Sequence, residues 1–287
     1  KDRSLDSDVM NVHQKASLGT GNLMKYVEDY YRVNDDFDSV AGLSQIMQAE
    51  AIRFAVETHR RNMPYCMGTL YWQFNDCWPV ISWSSIDYGG NWKALHYAAR
   101  KFFSPLLVSM RDLDNKIEIH VTNDQHNEIE SEIRLGLFNF NGDTLFNDSS
   151  DIKVEPFSSV VYRAFDKDDL LGGSDPSAII FRAELFVGGK VLSRAHQFFK
   201  RPKHLSIPSP EFDYEIERVS GKYVIKVRSK SFLCQLHLIS TKVRGVFSDN
   251  YFDMLPGEVQ MIDFEPSENK ELKKSEFRAG TLYEMMN

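Results

Sequence analysis

The chain has 287 residues with 42% hydrophobic and 26% charged content, the make-up of a folded globular protein, which excludes disorder, collagen and coiled coil. Its formal charge is −7, from 34 Lys+Arg against 41 Asp+Glu, with no basic stripe to meet a phosphate backbone, so no nucleic-acid partner is expected. No run approaches the roughly 18 apolar residues of a membrane span, and three cysteines without C-x-x-C spacing predict neither a disulfide scaffold nor a zinc site.

The chain opens on Lys1, without a Met or an apolar leader, and that start reads as a processing or proteolysis boundary. Leu23, Met24, Tyr26, Val27, Tyr30 and Tyr31 follow the Gly-rich stretch Gly19–Asn22 at helical spacing. After a turn at Asn34–Asp36, a longer helix is predicted from Leu43, Ile46, Met47 and Phe54, ending on Arg60, Arg61, Asn62 and Pro64. Met67–Phe74 is a short apolar run without alternation, which predicts a strand buried on both faces of a parallel sheet. A loop rich in Trp, Ser and Gly comes next. Trp92, Leu95, His96, Ala99, Phe102 and Phe103 then trace a further helix with Asn91 as its N-cap.

Beyond Ser104–Pro105 the period becomes two. Ile117, Ile119 and Val121 alternate with polar neighbours, as do Ile133, Leu135 and Leu137, and then the run Ile180 to Val187. Asn141-Gly142, Gly172-Gly173 and Gly188-Gly189 mark turns. Arg201–Pro210, with three prolines, reads as a linker, and Tyr223, Ile225 and Val227, then Phe232, Cys234, Leu236 and Leu238, begin a second alternating block. Strands at this density predict two antiparallel, immunoglobulin-like β-sandwiches, with Phe138, Phe140, Phe198 and Phe199 in their packing.

A single parallel strand cannot stand alone, because its amides and carbonyls need strands on both sides. A (β/α)8 barrel takes about 250 residues. Residues 1–103 can therefore hold only the C-terminal portion of a barrel, with sandwiches at 104–203 and 204–287. The fold class expected is multidomain α/β plus all-β.

All four tryptophans fall between residues 72 and 92. In a parallel barrel the C-terminal strand end is the active-site face, and Met67–Phe74 delivers Trp72, Asn75 and Asp76 there. An exposed indole packs against the C–H face of a sugar ring, while Asn and Asp bond hydroxyls. For Asp76 a second reading stands beside this one: a carboxylate that fixes the following loop. Trp92 and His96, at helical spacing, are expected in packing. Glu50 lies mid-helix and is read as structural. Eight histidines without i, i+4 pairing predict no metal, and Gly19-Thr-Gly21 is a turn and not a phosphate loop. Asn147-Asp148-Ser149 is the single N-glycosylation sequon.

The segment Tyr71–Tyr97 with its flanks resembles the end of the catalytic barrel of β-mannosidases in glycoside hydrolase family two. His13-Gln14-Lys15, Gln48-Ala-Glu-Ala-Ile52, Phe102-Phe103-Ser104-Pro105 and Gly245-Val-Phe-Ser-Asp-Asn250 are similar to that family as well. The resemblance implies a retaining exo-glycosidase that removes terminal non-reducing β-D-mannose from oligosaccharides, without cofactor, in an extracytoplasmic compartment. It implies that Trp72 floors the sugar subsite, with Asn75 and Asp76 beside it. The two catalytic glutamates would lie upstream, in a missing N-terminal part of the same polypeptide, so no catalytic residue is assigned and this chain alone is expected to be inactive. β-Galactosidase or β-glucuronidase specificity within the family, or a non-catalytic carbohydrate-binding module in residues 104–287, are the alternatives.

Overall fold

The computed structural model describes residues 3–34 and 36–287; Lys1, and Asp35 at the centre of the expected turn, lie outside them. The Ser7 hydroxyl accepts the Met10 amide and opens a short helix α1 (Asp8–Val12) that apolar spacing does not announce. Helix α2 (Gly19–Tyr30) starts inside the Gly-rich stretch, not after it. Val27 and the adjoining Tyr31 are buried, whereas Tyr26 and Tyr30 of the same predicted stripe face solvent. The Asp36 carboxylate accepts the Ser39 amide at 2.8 Å beside the start of α3 (Phe37–Arg61). Val40, Leu43, Ile46, Ala49 and Val56 form its buried side, and its last turn carries His59, Arg60 and Arg61 as expected for the negative end of the dipole. Phe54 is 69% exposed instead of sharing that side.

Met67–Phe74 is not a strand. Residues 66–74 are irregular and form no ladder with any strand among the described residues, and Leu70 is 99% exposed. The apolar pattern supplies a side-chain preference, but a strand exists only where partner backbones accept and donate on its edges.

Helix α4 spans Ala94–Phe102, so Asn91 lies two residues too early to cap it. The amide and side chain of Asn91 both donate to the Asp87 carboxylate, at 2.8 and 2.9 Å, closing an Asp87–Asn91 turn. The Ala94 amide is met by Gln45 Oε1 from α3 at 3.4 Å.

The β-rich remainder is two antiparallel sandwiches of immunoglobulin-like form. In the first, β1 (Leu106–Asp112), β2 (Lys116–Asn123) and β5 (Ser158–Asp166) make one sheet in the order β1-β2-β5. The facing sheet runs β4-β3-β6-β7, from β3 (Ile129–Asn139), β4 (Thr144–Val154), β6 (Ile179–Val187) and β7 (Lys190–Phe198). Ile117, Ile119, Ile133, Leu135, Leu137, Phe181 and Leu185 fill the space between, as the period of two predicts. A short helix α5 (Lys167–Leu171) ends on Gly172 at φ +55, and the β6–β7 hairpin turns on Gly188 and Gly189, both at positive φ.

The second sandwich has sheets in the orders β12-β10-β14 and β11-β13-β9-β8. Its strands are β8 (Phe212–Val219), β9 (Lys222–Ser229), β10 (Leu233–Ser240), β11 (Gly245–Phe247), β12 (Phe252–Met254), β13 (Val259–Pro266) and β14 (Phe277–Gly280), followed by helix α6 (Leu282–Met286). The pairing of β10 with β12 slips between Leu233 and Leu236, and Gln235 takes φ +52. That irregularity brings Leu233, Leu236 and Leu238 into one core with Ile225, Val227, Ile262 and Phe264, in place of the strict alternation from Phe232. The chain forms two compact units: one takes in the chain up to Glu50, Tyr71–Ala98 and Ile207–Asn287, the other Ala51–Leu70 and Ala99–Ser206.

Candidate functional site

Residues 75–92 form a loop that is ordered by side chains and a few backbone bridges. The Asp76 amide donates to Ile86 O, and the Ile86 amide returns to Phe74 O at 3.0 Å. Ser85 N reaches Gln73 O, and Ser85 Oγ reaches Phe74 O at 2.9 Å. From outside the loop, Gln48 of α3 donates to Trp83 O at 2.7 Å, and the Ile81 amide donates to His13 O. Trp78 packs on the His13 ring at 5.1 Å.

Trp72 sits between two anchored residues. The Tyr71 hydroxyl lies 2.9 Å from Ser85 Oγ. Gln73 accepts Trp83 Nε1 at its side-chain oxygen and donates from its side-chain nitrogen to Asn75 O at 2.8 Å. The Trp72–Gln73 peptide is cis. Between these fixed neighbours the Trp72 side chain stands 73% exposed. A large apolar face held open on a pinned backbone is suited to stacking on a flat, partly apolar ligand.

Asn75 is exposed beside it, with Nδ2 donating to Asp76 O at 3.2 Å. Asp76 differs. It is 6% exposed, and its carboxylate accepts Ser82 Oγ at 2.6 Å, Ser84 Oγ, and Lys93 Nζ at 3.3 Å. Burial works against the charge, yet the two hydroxyl donors and the Lys93 ammonium outweigh it and hold the carboxyl below its ordinary value. Of the two sequence readings of Asp76, this geometry is that of the loop-fixing carboxylate, although its donors are side chains and not backbone amides. Ser82, Ser84 and Lys93 escape sequence reasoning because a serine-rich loop has no periodicity that marks which hydroxyl turns inward.

Trp92 and His96 are packed, with ring centroids 4.3 Å apart; Phe74 meets the His96 ring at 5.5 Å. Tyr97 reaches further, into the core of the second sandwich, where its hydroxyl accepts the Phe247 amide at 3.4 Å and its ring lies 6.1 Å from Tyr251. Glu50 is half-buried in mid-helix. Among the described residues no group of three or more His, Cys, Asp or Glu side chains is arranged to hold a metal ion, and no helix is long and apolar enough to cross a membrane.

Comparison with known proteins places this loop in context. Residues 115–204 match the Mannosidase Ig/CBM-like domain family and residues 207–285 an Ig-fold domain family of mannosidases. Beta-mannosidase A of Aspergillus oryzae is 27% identical over 283 residues, covering 90% of this chain and 31% of that protein. Beta-mannosidase A of Emericella nidulans is 27% identical over 277 residues, 88% of this chain and 29% of that protein. The crystal structure of beta-D-mannosidase from Dictyoglomus thermophilum superposes with a TM-score of 0.88 at 25% identity, over 98% of this chain and 34% of that one. The exo-chitosanase of Amycolatopsis orientalis shares the fold, with a TM-score of 0.71 at 14% identity over 94% of this chain and 37% of that one. The chain thus spans about a third of the length of the relatives it matches.

Proposed function

We propose, for a chain that is a relative of the β-mannosidases of glycoside hydrolase family two, that it forms the sugar-facing end and the sandwich support of a retaining exo-glycosidase acting on terminal β-D-mannose. The observation that carries this reading is the irregular apolar segment around Leu70 and Trp72, whose backbone pairs with no strand among the described residues and whose Leu70, Trp72 and Phe74 side chains are open. Such a segment is what a closing barrel strand would offer to the strands beside it.

In this reading the Trp72 indole forms the floor under the pyranose, where C–H groups meet the ring face and water is excluded. Asn75 bonds a sugar hydroxyl. Asp76 acts through the loop, holding Trp72 and Asn75 at a fixed height. Hydrolysis with retention needs a nucleophilic carboxylate and an acid/base carboxyl about 5–5.5 Å apart. Both belong to barrel strands outside this chain, so the chain binds and orients without cleaving.

The test is turnover of an aryl β-mannoside by this chain and by the whole protein. The chain alone is expected to be inactive. Trp72→Ala in the whole protein is expected to lower kcat/KM by about 10²-fold or more, the loss of roughly 3 kcal/mol of ring contact. Turnover by the isolated chain, or indifference to Trp72→Ala, would sink the reading.

A further inference from the structure

Ser85 is fully buried in the Trp-rich loop. Its amide donates to Gln73 O at 3.0 Å and to Phe74 O at 3.2 Å, and its carbonyl accepts the amide of Lys93, the residue before α4, at 2.9 Å. Its hydroxyl meets three groups: Phe74 O at 2.9 Å, the Tyr71 hydroxyl at 2.9 Å and His96 Nδ1 at 3.0 Å. Tyr71, Gln73 and Phe74 bracket Trp72 in the chain. One serine therefore holds the chain on both sides of an indole that is itself exposed, and ties it to the first turn of α4, where His96 lies.

The protons at this junction can be counted. A serine hydroxyl has one proton to donate and two lone pairs to accept with. Phe74 O can only accept, so the Ser85 proton goes there. The other two contacts must then be donated to Ser85 Oγ. Tyr71 gives its hydroxyl proton, and His96 gives a proton carried on Nδ1. With His96 protonated on Nε2 alone, two lone pairs would face each other across 3.0 Å around a buried oxygen. Trp92 and Phe74 pack on the His96 ring, with centroids at 4.3 and 5.5 Å, which sets where Nδ1 points.

We propose that Ser85 is a positioning residue for the Trp72 ring face, and that His96, protonated on Nδ1, is the donor that orients the Ser85 hydroxyl. Without that hydroxyl the Ser85 amide still reaches Gln73 O and Phe74 O, but the arms to Tyr71 and His96 are lost. Trp72 then keeps its place in the chain and loses its fixed presentation. What the ring face binds rests on the mannoside reading above; the clamp itself does not.

Nuclear magnetic resonance of the isotopically labelled 287-residue chain tests the junction without any sugar. His96 Nδ1 is expected at the shift of a protonated ring nitrogen. Ser85→Ala should lose picosecond-to-nanosecond order at the Trp72 indole N–H, while the Trp78 indole, packed on His13, keeps its order. His96→Leu should do the same, and His96→Asn should restore the order, since the asparagine amide reaches the place of Nδ1. Tyr71→Phe removes one arm with every backbone bond intact, and should loosen Trp72 even where Ser85→Ala fails to fold. In the whole protein Ser85→Ala should lower kcat/KM for an aryl β-mannoside about tenfold, and add no further loss to Trp72→Ala, because it acts through that ring. The clamp is overturned by an unprotonated Nδ1, by an unchanged Trp72 indole in the folded variants, by no rescue in His96→Asn, or by additive losses. Unchanged turnover in Trp72→Ala alone would instead count against the mannoside reading, with the resonances still deciding the clamp.

Discussion

Lys93 Nζ lies 3.3 Å from Asp76 Oδ2, joining the first turn of the Trp-rich loop to the residue that precedes α4. The pair is almost wholly out of solvent, and the hydroxyls of Ser82 and Ser84 complete the shell around the carboxylate. Breaking one side of a buried charged pair strands the other. Asp76→Ala is therefore expected to cost roughly 3 kcal/mol, and Asp76→Asn about half of that, because the amide oxygen keeps a hydroxyl donor. Urea unfolding followed by indole fluorescence measures both. Equal midpoints for native chain and Asp76→Ala would refute the shell's role.

The same groups set an acid limit. The native Asp76 carboxyl titrates below its ordinary value, so its contribution is complete above about pH 3.9 and is lost as pH falls through the lowered native value. Two histidines act at milder acidity. Burial lowers His120, with Glu118 opposing that shift while Arg61 and Arg111 add to it. Burial also lowers His237, against the opposing pull of Gln235 O and Glu284. Below about pH 6.5 the unfolded chain takes up protons that the folded histidines refuse, so stability falls as pH drops through that window. The urea midpoint should fall between about pH 7.5 and about pH 5, and His120→Gln should flatten the slope. An unaltered slope in that variant counts against the assignment.

Arg60 holds three acceptors at once. Nη1 donates to Phe102 O at 2.6 Å and Ser104 O at 2.7 Å, while Nη2 reaches Asp124 Oδ2 at 2.7 Å. It thereby satisfies the end of α4 and ties the turn before β1 to the turn after β2. Arg60→Met should cost roughly 3–5 kcal/mol, and Arg60→Lys should recover less than half, since an ammonium has no planar fork. Asp124→Asn should be milder, because Asp124 is partly exposed. Denaturant midpoints rank the three variants; a reversed order would contradict this account.

Asn250 behaves as a piece of strand. Buried beside β10, its Oδ1 accepts the Leu238 amide at 2.8 Å and its Nδ2 donates to Leu238 O at 3.0 Å. Asn250→Ala would leave a buried donor and a buried acceptor unmet, a cost of roughly 1–3 kcal/mol for each. Asn250→Asp keeps the acceptor and loses the donor, so it should fall between. Slowed amide exchange at Leu238 should vanish in Asn250→Ala; persistence of that protection would disprove the pairing.

Much of the architecture follows from side-chain period alone. The alternation of Ile117, Ile119, Ile133, Leu135 and Leu137 marks the inward face of the first sandwich, and one-sided burial enforces it. The clustering of tryptophans likewise marks residues 72–92 as a distinct stretch, in which Trp72 stands exposed. Local pattern succeeds there because each residue's environment is set by its own strand or turn.

Where partners come from far along the chain, pattern falls silent. The apolar run at Met67–Phe74 has the composition of a strand, but a strand requires a ladder, and among the described residues its only backbone-to-backbone bonds come from Ser85 and Ile86 of the following loop, at Gln73 and Phe74. Asp76 could as well have faced a ligand; only the inward turn of Ser82, Ser84 and Lys93 commits its carboxylate to the loop. Tyr97 reads as one more helical aromatic, yet it closes the core of a sandwich whose strands begin more than a hundred residues later. The linear order of residues determined the strands of the two sandwiches and the longer helices α2 and α3. The tertiary structure decided which polar groups are used up in holding the Trp72 indole, because hydrogen bonds are made by atoms that meet in space and not by residues adjacent in the chain.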